Sequence, residues 1–259
     1  MSSLLRALLR PQAATPLAAF RMAAGVCVVI TLLGPILGGA ADAIWLAPEY
    51  GGYRPGGSVP WIVELLGGKT PAVVHGLIAA GLLFGALTAA GLGGRLTIFL
   101  ALQSFSGVIN CNAHSGGSFD ELLTNGLWIL VLAPSTATWS LDAVLTTGRW
   151  TTDRTVPAFW LWIPRFILLL LVYWTTGLQK LSHHWVPGGD LAALYYILQQ
   201  PSWHRGDMSW LAHVFPLTQV MTLTTWLWEV SMPVWFVALL ARDGWGRVGW
   251  MKRWRVAEA

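Results

Sequence analysis

A succession of apolar runs close to the thickness of a bilayer limits this chain more than any other feature. Hydrocarbon takes roughly 20 residues of helix to cross, and runs at 17–39, 71–92 and 158–181 reach that length. Further runs lie at 95–109, 122–133 and 220–240. Only 11% of the residues are charged and 55% are apolar, whereas soluble domains carry roughly 25% charge. So few charges cannot cover a water-soluble surface, and the mean hydropathy of +0.57 agrees. A freely soluble enzyme is excluded. Intrinsic disorder is excluded as well, because it needs the opposite composition.

The expected fold class is an all-α integral membrane protein, a bundle of about six transmembrane helices. A short re-entrant or interfacial helix, 190–199, precedes the last span. The whole of 1–259 reads as one transmembrane domain: an interfacial segment 1–16, a helical bundle 17–241 and a basic, Trp-rich tail 242–259. Arg6, Arg10 and Arg21 at the leading edge of the first run, with small residues after it, share features with a secretory signal. The run is longer than a signal core, and Pro11 and Pro16 interrupt its lead-in, so a retained span is expected. Gly76, Gly81, Gly85 and Gly91 in the second run provide for close approach of another helix.

Charge sets the orientation. With the N-terminus in the cytoplasm, Arg6, Arg10, Arg21, Arg95, Arg149, Arg154, Arg165, Arg242, Arg247, Lys252, Arg253 and Arg255 fall inside; only Arg54, Lys69, Lys180 and Arg205 fall outside. Excess cytoplasmic Lys and Arg is the usual bias, so both termini are expected in the cytoplasm, in a bacterial cytoplasmic membrane. The pI near 9.4 then reflects topology and lipid headgroup contact rather than nucleic-acid binding. Cys27 lies within an apolar run, which argues against a disulfide framework.

This orientation places His75, His114, His183, His184, His204 and His213 on the outer side, together with Asp120, Glu121, Asp190, Asp207 and Lys180. Any chemistry therefore faces outward. Lys180 ends the fifth run. It reads either as a lysine snorkelling to the headgroups or as an amine in an apolar recess, made a base by desolvation. Glu229 lies about 13 Å into the sixth run at 1.5 Å per residue. An ionisable group at that depth calls for a partner or a function, the simplest being a hydrogen bond to a Thr or Trp of a neighbouring helix. Asn110, Asn112, His114 and Asp120 cluster where the third run exits, as caps and turn formers or as the lining of a pocket. No metal-binding histidine spacing and no phosphate-binding glycine loop occurs, so no metal is expected.

Three stretches carry a resemblance. They are Ser118-Phe119-Asp120-Glu121-Leu122-Leu123 running through Pro134 to Trp139-Ser140-Leu141-Asp142; Thr176-Gly177-Leu178-Gln179-Lys180-Leu181 with Trp185 and Gly188-Gly189-Asp190; and residues 222–233 with Glu229 and Pro233. Together they resemble the horizontally transferred transmembrane (HTTM) domain family, whose best-known relative is vitamin K-dependent gamma-carboxylase. In that enzyme the lysine of the second motif is regarded as the base that deprotonates reduced vitamin K. The resemblance implies Lys180 and His114 as catalytic residues. It implies a reduced, vitamin K-like quinone as cofactor, lined by Asn110, Asn112, Trp174, Trp185 and Glu229.

The carboxylase has an adjacent Asn-His pair where this sequence has Asn112-Ala113-His114. The large lumenal region with which it engages its peptide substrate has no counterpart here. Two functions are therefore expected. One is a carboxylase-like, quinol-dependent enzyme with a lysine base on the outer face. The other is a non-catalytic transmembrane subunit, scaffold or assembly factor of a larger complex, with membrane lipids and other membrane subunits as partners.

Overall fold

The computed structural model describes residues 3–53, 59–112, 114–200 and 206–242. Arg54, His204, Arg205 and the basic, Trp-rich tail beyond Arg242 lie outside the described residues. The chain divides into two compact units, Leu8–Leu161, and Trp162–Ala259 with Met1–Ala7.

The Leu8–Leu161 unit contains α1 (Thr15–Leu37), α2 (Pro71–Ala90), α3 (Gly94–Ile109), α4 (Ser118–Leu132) and α5 (Leu141–Thr147). Local signals mark their ends. The Thr70 hydroxyl accepts from the Val73 amide at 3.4 Å, and Pro71 opens α2 where its missing N–H costs nothing. Gly91, at φ +72°, closes α2 in the left-handed region that glycine enters freely. Asp120 accepts from the Gly117 amide at 2.8 Å at the start of α4, and the Ser140 hydroxyl accepts from the Ala143 amide at 3.0 Å at the start of α5.

Small residues let α1 and α2 touch. A Cβ on Gly25 would overlap the backbone of Gly85 and Ala89; one on Gly85 would lie 2.9 Å from Val28 Cγ1. Gly81 faces Leu32 in the same way, but Gly76 has open space around it. Hydrocarbon is as apolar as leucine, so close packing rather than water exclusion holds such a pair. Val28, Leu32, Ile98, Leu102, Phe105, Leu127 and Leu130 fill the interior, while Ile30, Leu37, Leu83 and Leu132 point outward.

Two features depart from the expected layout. Pro11–Ala13 and Thr155–Pro157 form an antiparallel strand pair, with Gln12 opposite Val156, so part of the interfacial segment is strand. Arg21 is no basic flank: it lies inside α1 with 0% exposure. Its guanidinium donates to the carbonyls of Ser135 (3.2 Å), Ala89 (3.4 Å) and Trp139 (2.5 Å). Ala89 is in the last turn of α2, where carbonyls lack helical partners. Trp139 adopts φ +49°, unusual for a bulky residue. Asp142 completes the knot by accepting from the Gly93 amide at 2.9 Å, while its own amide donates to the Gly91 carbonyl at 3.0 Å. The Trp139-Ser140-Leu141-Asp142 stretch thus ties the α2–α3 turn to Arg21.

The Trp162–Ala259 unit is built on α6 (Phe159–Gln179), α7 (Ala193–Gln199), α8 (Phe215–Val230) and α9 (Met232–Arg242). The first three residues of α6 belong to the other unit. The stretch Ile167–Trp174 of α6 winds as a π-helix. Thr175 and Thr176 donate from their hydroxyls to the carbonyls of Leu171 and Val172, each at 2.5 Å, where that wider winding returns to α. The sixth expected span is broken. With the 3₁₀ turn before it, α8 meets α9 at a 49° bend. Pro233 explains the break, because it cannot donate the helical bond that would bridge Ser231.

The protein is an all-α membrane protein. Among the described residues three helices, α1, α2 and α6, are long and apolar enough to cross a bilayer, and a fourth crossing results if the bent pair counts as one span. Helix α3 has 16 residues and α4 has 15, short of the roughly 20 that a perpendicular crossing takes.

Candidate functional site

Helix α6 stops at Gln179, and Lys180 leaves it at φ −80°, ψ 69°. The glycine three residues earlier determines where that lysine arrives. A Cβ on Gly177 would lie 2.8 Å from Glu229 Cβ and 3.1 Å from the Val230 amide nitrogen. Only a bare Cα lets α6 press against α8 at this level. The approach brings the Lys180 ammonium onto the Glu229 carboxylate. Nζ donates to Oε2 at 2.6 Å and also to Oε1. The pair is largely withdrawn from solvent, with side-chain exposures of 18% and 9%. The Trp185 indole covers the amine, its ring centroid 4.4 Å from Nζ, a cation–π distance.

Two expectations are thereby revised. Glu229 is paired with the candidate base itself, not with a Thr or Trp of a neighbouring helix. Lys180 is not an isolated amine in an oily recess, because a carboxylate shares it. A lone charge in hydrocarbon is costly, and a contact ion pair cancels much of that cost.

The loop from α6 to α7 carries Trp185 and is bonded within itself and to α8. His184 donates from Nδ1 to both Asp190 oxygens, each at 2.8 Å. A carboxylate only accepts, so this bond assigns the proton to Nδ1. The bond from His184 holds the Asp190 carboxyl below its ordinary value of 3.8. Asp190 Oδ1 also accepts from the Ala192 amide at 3.1 Å, and its carbonyl accepts from Gln219 of α8 at 2.7 Å. Further along, the Thr222 hydroxyl of α8 accepts from the Leu194 amide at 3.2 Å. Buried Thr218, Thr222 and Glu229 form the polar side of α8.

The other expected site residues have contacts of their own. Trp174 ends the π-helical stretch and is exposed. Asn110, Asn112 and His114 belong to the Leu8–Leu161 unit. There Asn110 donates to the Ser106 carbonyl at 2.9 Å and Asn112 to the Ile44 carbonyl at 3.0 Å. The His114 backbone amide donates to Asn112 Oδ1 at 3.1 Å, and the residue is exposed. The Asn110 and His114 bonds are of the capping and turn-forming kind, whereas the Asn112 side chain bonds a residue 68 positions away. Lys69 reinforces the same exit by donating to the Cys111 carbonyl at 2.7 Å. Among the described residues no three His, Cys, Asp or Glu side chains converge as metal ligands.

Residues 9–240 match the HTTM domain as a family. The chain belongs to the HTTM family. No curated protein and no solved structure matches it. Parts of all three stretches of this HTTM protein now have a physical role. Gly177 to Lys180 is an approach and a charge, residues 222–233 supply the answering carboxylate and the helix break, and Trp139 to Asp142 form the Arg21 knot. Chemically, the Lys180–Glu229 pair is a proton donor beside a proton acceptor under an aromatic ring. Sequence reading missed the pairing, Arg21 and the Asp190 bond. The nearest available signal was that residues 220–240 contain a single carboxylate and the preceding run a single lysine.

Proposed function

We propose that this protein is a carboxylase-like membrane enzyme that uses Lys180 as an acid–base group on the outer face of a bacterial cytoplasmic membrane. Six crossings with both termini in the cytoplasm complete this reading. The observation that carries it is the Lys180–Glu229 pair, shielded and capped by Trp185. The substrate class is a reduced quinone, which when bound would supply reducing equivalents and an acidic hydroxyl. Lys180 would pass a proton from Nζ to Glu229, and its freed lone pair would accept the hydroxyl proton. The charge left on the deprotonated hydroxyl would then balance the reformed ammonium, with Glu229 protonated and neutral. Trp185 excludes water and presents a flat surface.

The test is oxygen-dependent quinol oxidation by the full chain in lipid nanodiscs, with dioxygen taking the two electrons. Replacing Lys180 with Ala is expected to lower turnover by about 10²- to 10⁴-fold, the usual worth of a positioned acid–base group. Unchanged turnover would remove Lys180 from the chemistry.

A second reading is a non-catalytic membrane subunit or assembly factor. The bidentate pairing favours it, since a lysine engaged by both carboxylate oxygens is also a good structural pin. A stoichiometric partner on native purification, with no turnover of its own, is the outcome that reading expects.

A further inference from the structure

Trp185 covers the amine, yet the bonds that hold it there come from elsewhere. The loop backbone turns on itself, with the Trp185 amide donating to the Ser182 carbonyl at 2.9 Å and the Ala193 amide to the His184 carbonyl at 3.0 Å. A Cβ on Gly189 would overlap the His183 carbonyl, so the two ends of the loop are in contact. Leu191 sits at φ +54°, a conformation that a branched apolar residue keeps only when its surroundings impose it. Its two neighbours in the chain, Asp190 and Ala192, are both held by hydrogen bonds. Asp190 grips His184, caps Ala192 and is tied to Gln219 of α8, the helix that carries Glu229. Tyr196 of α7 stacks edge-on against the His184 ring at 5.1 Å, and the His183 ring lies 6.1 Å away.

We infer that Asp190, acting through His184, is a positioning residue that holds the Trp185 indole over the Lys180 amine. His184 precedes Trp185 directly, so fixing its ring on Asp190 fixes the start of the next residue. The Gln219 bond ties that assembly to the same helix as Glu229. Asp190 touches no reacting atom; it determines whether the lid is seated. The functional meaning rests on the acid–base reading of Lys180, whereas the seating of the indole does not.

The experiment uses full-length protein labelled with 5-fluorotryptophan in lipid nanodiscs, with the Trp185 ¹⁹F resonance assigned through Trp185→Phe. Lys180→Met removes the cation under the ring and is expected to move that resonance. Asp190→Asn and His184→Phe are expected to move it as well, and the double variant no further than either alone. Asp190→Glu and His184→Gln, which keep an acceptor and a donor, are expected to return it towards the wild-type position. The remaining tryptophans report whether the fold persists in each variant.

A Trp185 resonance that stays at its wild-type position in both Asp190→Asn and His184→Phe overturns the inference, and so does one indifferent to Lys180→Met. Quinol turnover is measured in parallel. Asp190→Asn is expected to lose about threefold, the scale of one exposed ion pair. If Lys180→Ala leaves turnover unchanged while the resonances behave as described, the acid–base reading fails and the positioning role stands.

Discussion

Arg21 and Lys180 are both cations withdrawn from water, and the protein neutralises them in opposite ways. Around Arg21 there are three carbonyls, from Ala89, Ser135 and Trp139. A guanidinium is a fixed charge with a planar fork of donors, and carbonyls cannot take its proton. That knot joins chain segments. Around Lys180 there are a carboxylate and an indole. Here both partners of the contact can gain or lose a proton, and the amine retains some solvent access. On the function proposed above, one site is built to hold still and the other to exchange protons.

The largest effect is expected at Arg21. Removing it leaves one buried and two partly buried carbonyls without that donor, at up to about 1–3 kcal/mol for each such group. Arg21→Ala should therefore fail to fold or unfold at a much lower temperature in detergent. Arg21→Lys, which keeps the charge but loses the fork, should fall between. Wild-type stability in Arg21→Ala would break the contrast at its structural end.

Next comes the ion pair. Glu229→Gln strands a shielded ammonium and should cost about 3 kcal/mol. A double variant, Lys180→Met with Glu229→Leu, should recover most of that loss, because neither charge is left alone. Equal and additive losses in thermal unfolding would show that the two residues do not interact.

Gly177 sharpens the same comparison at smaller scale. Its Cβ position lies 2.8 Å from Glu229 Cβ, so Gly177→Ala should cost about 1–3 kcal/mol by overpacking and lower the activity with it. Gly76 has nothing within 4 Å, and Gly76→Ala should be neutral or stabilising by about 0.5–1 kcal/mol. Similar melting temperatures for the two variants would refute the close approach.

The smallest effect concerns pH. Asp190 is held below 3.8 by the His184 bond. A carboxyl depressed in the folded state adds stability above its unfolded value and loses it as pH falls through the folded one. Hydrogen exchange across 181–192 should stay slow at neutral pH and quicken only on acidification below the ordinary carboxylate range. Asp190→Asn should exchange faster already at neutral pH and lose that acid-dependent step.

Much of the architecture was readable from the chain. The runs 17–39, 71–92 and 158–181 became α1, α2 and α6, because apolar length and Gly or Pro punctuation act locally. Gly81 and Gly85 do meet another helix, as expected of small residues, whereas Gly76 does not. Lys180, Trp185 and Glu229 were singled out and do come together. That the lysine's partner is Glu229, 49 residues away, was not visible. Arg21 looked like a flanking charge because hydropathy cannot report carbonyls 68 to 118 residues distant. The Pro11–Ala13 strand was equally hidden, since its partner lies at Thr155–Pro157.

Composition and periodicity alone determined that this is a helical chain living in lipid, because backbone groups in hydrocarbon must satisfy one another within each segment. They also placed its rare ionisable residues on particular helices. Which of those residues neutralise one another depended on helices crossing at Gly25 and Gly177, where a missing Cβ permits contact. Only the tertiary structure decided that, because electrostatic pairing is set by distance in space and a linear order of residues does not contain it.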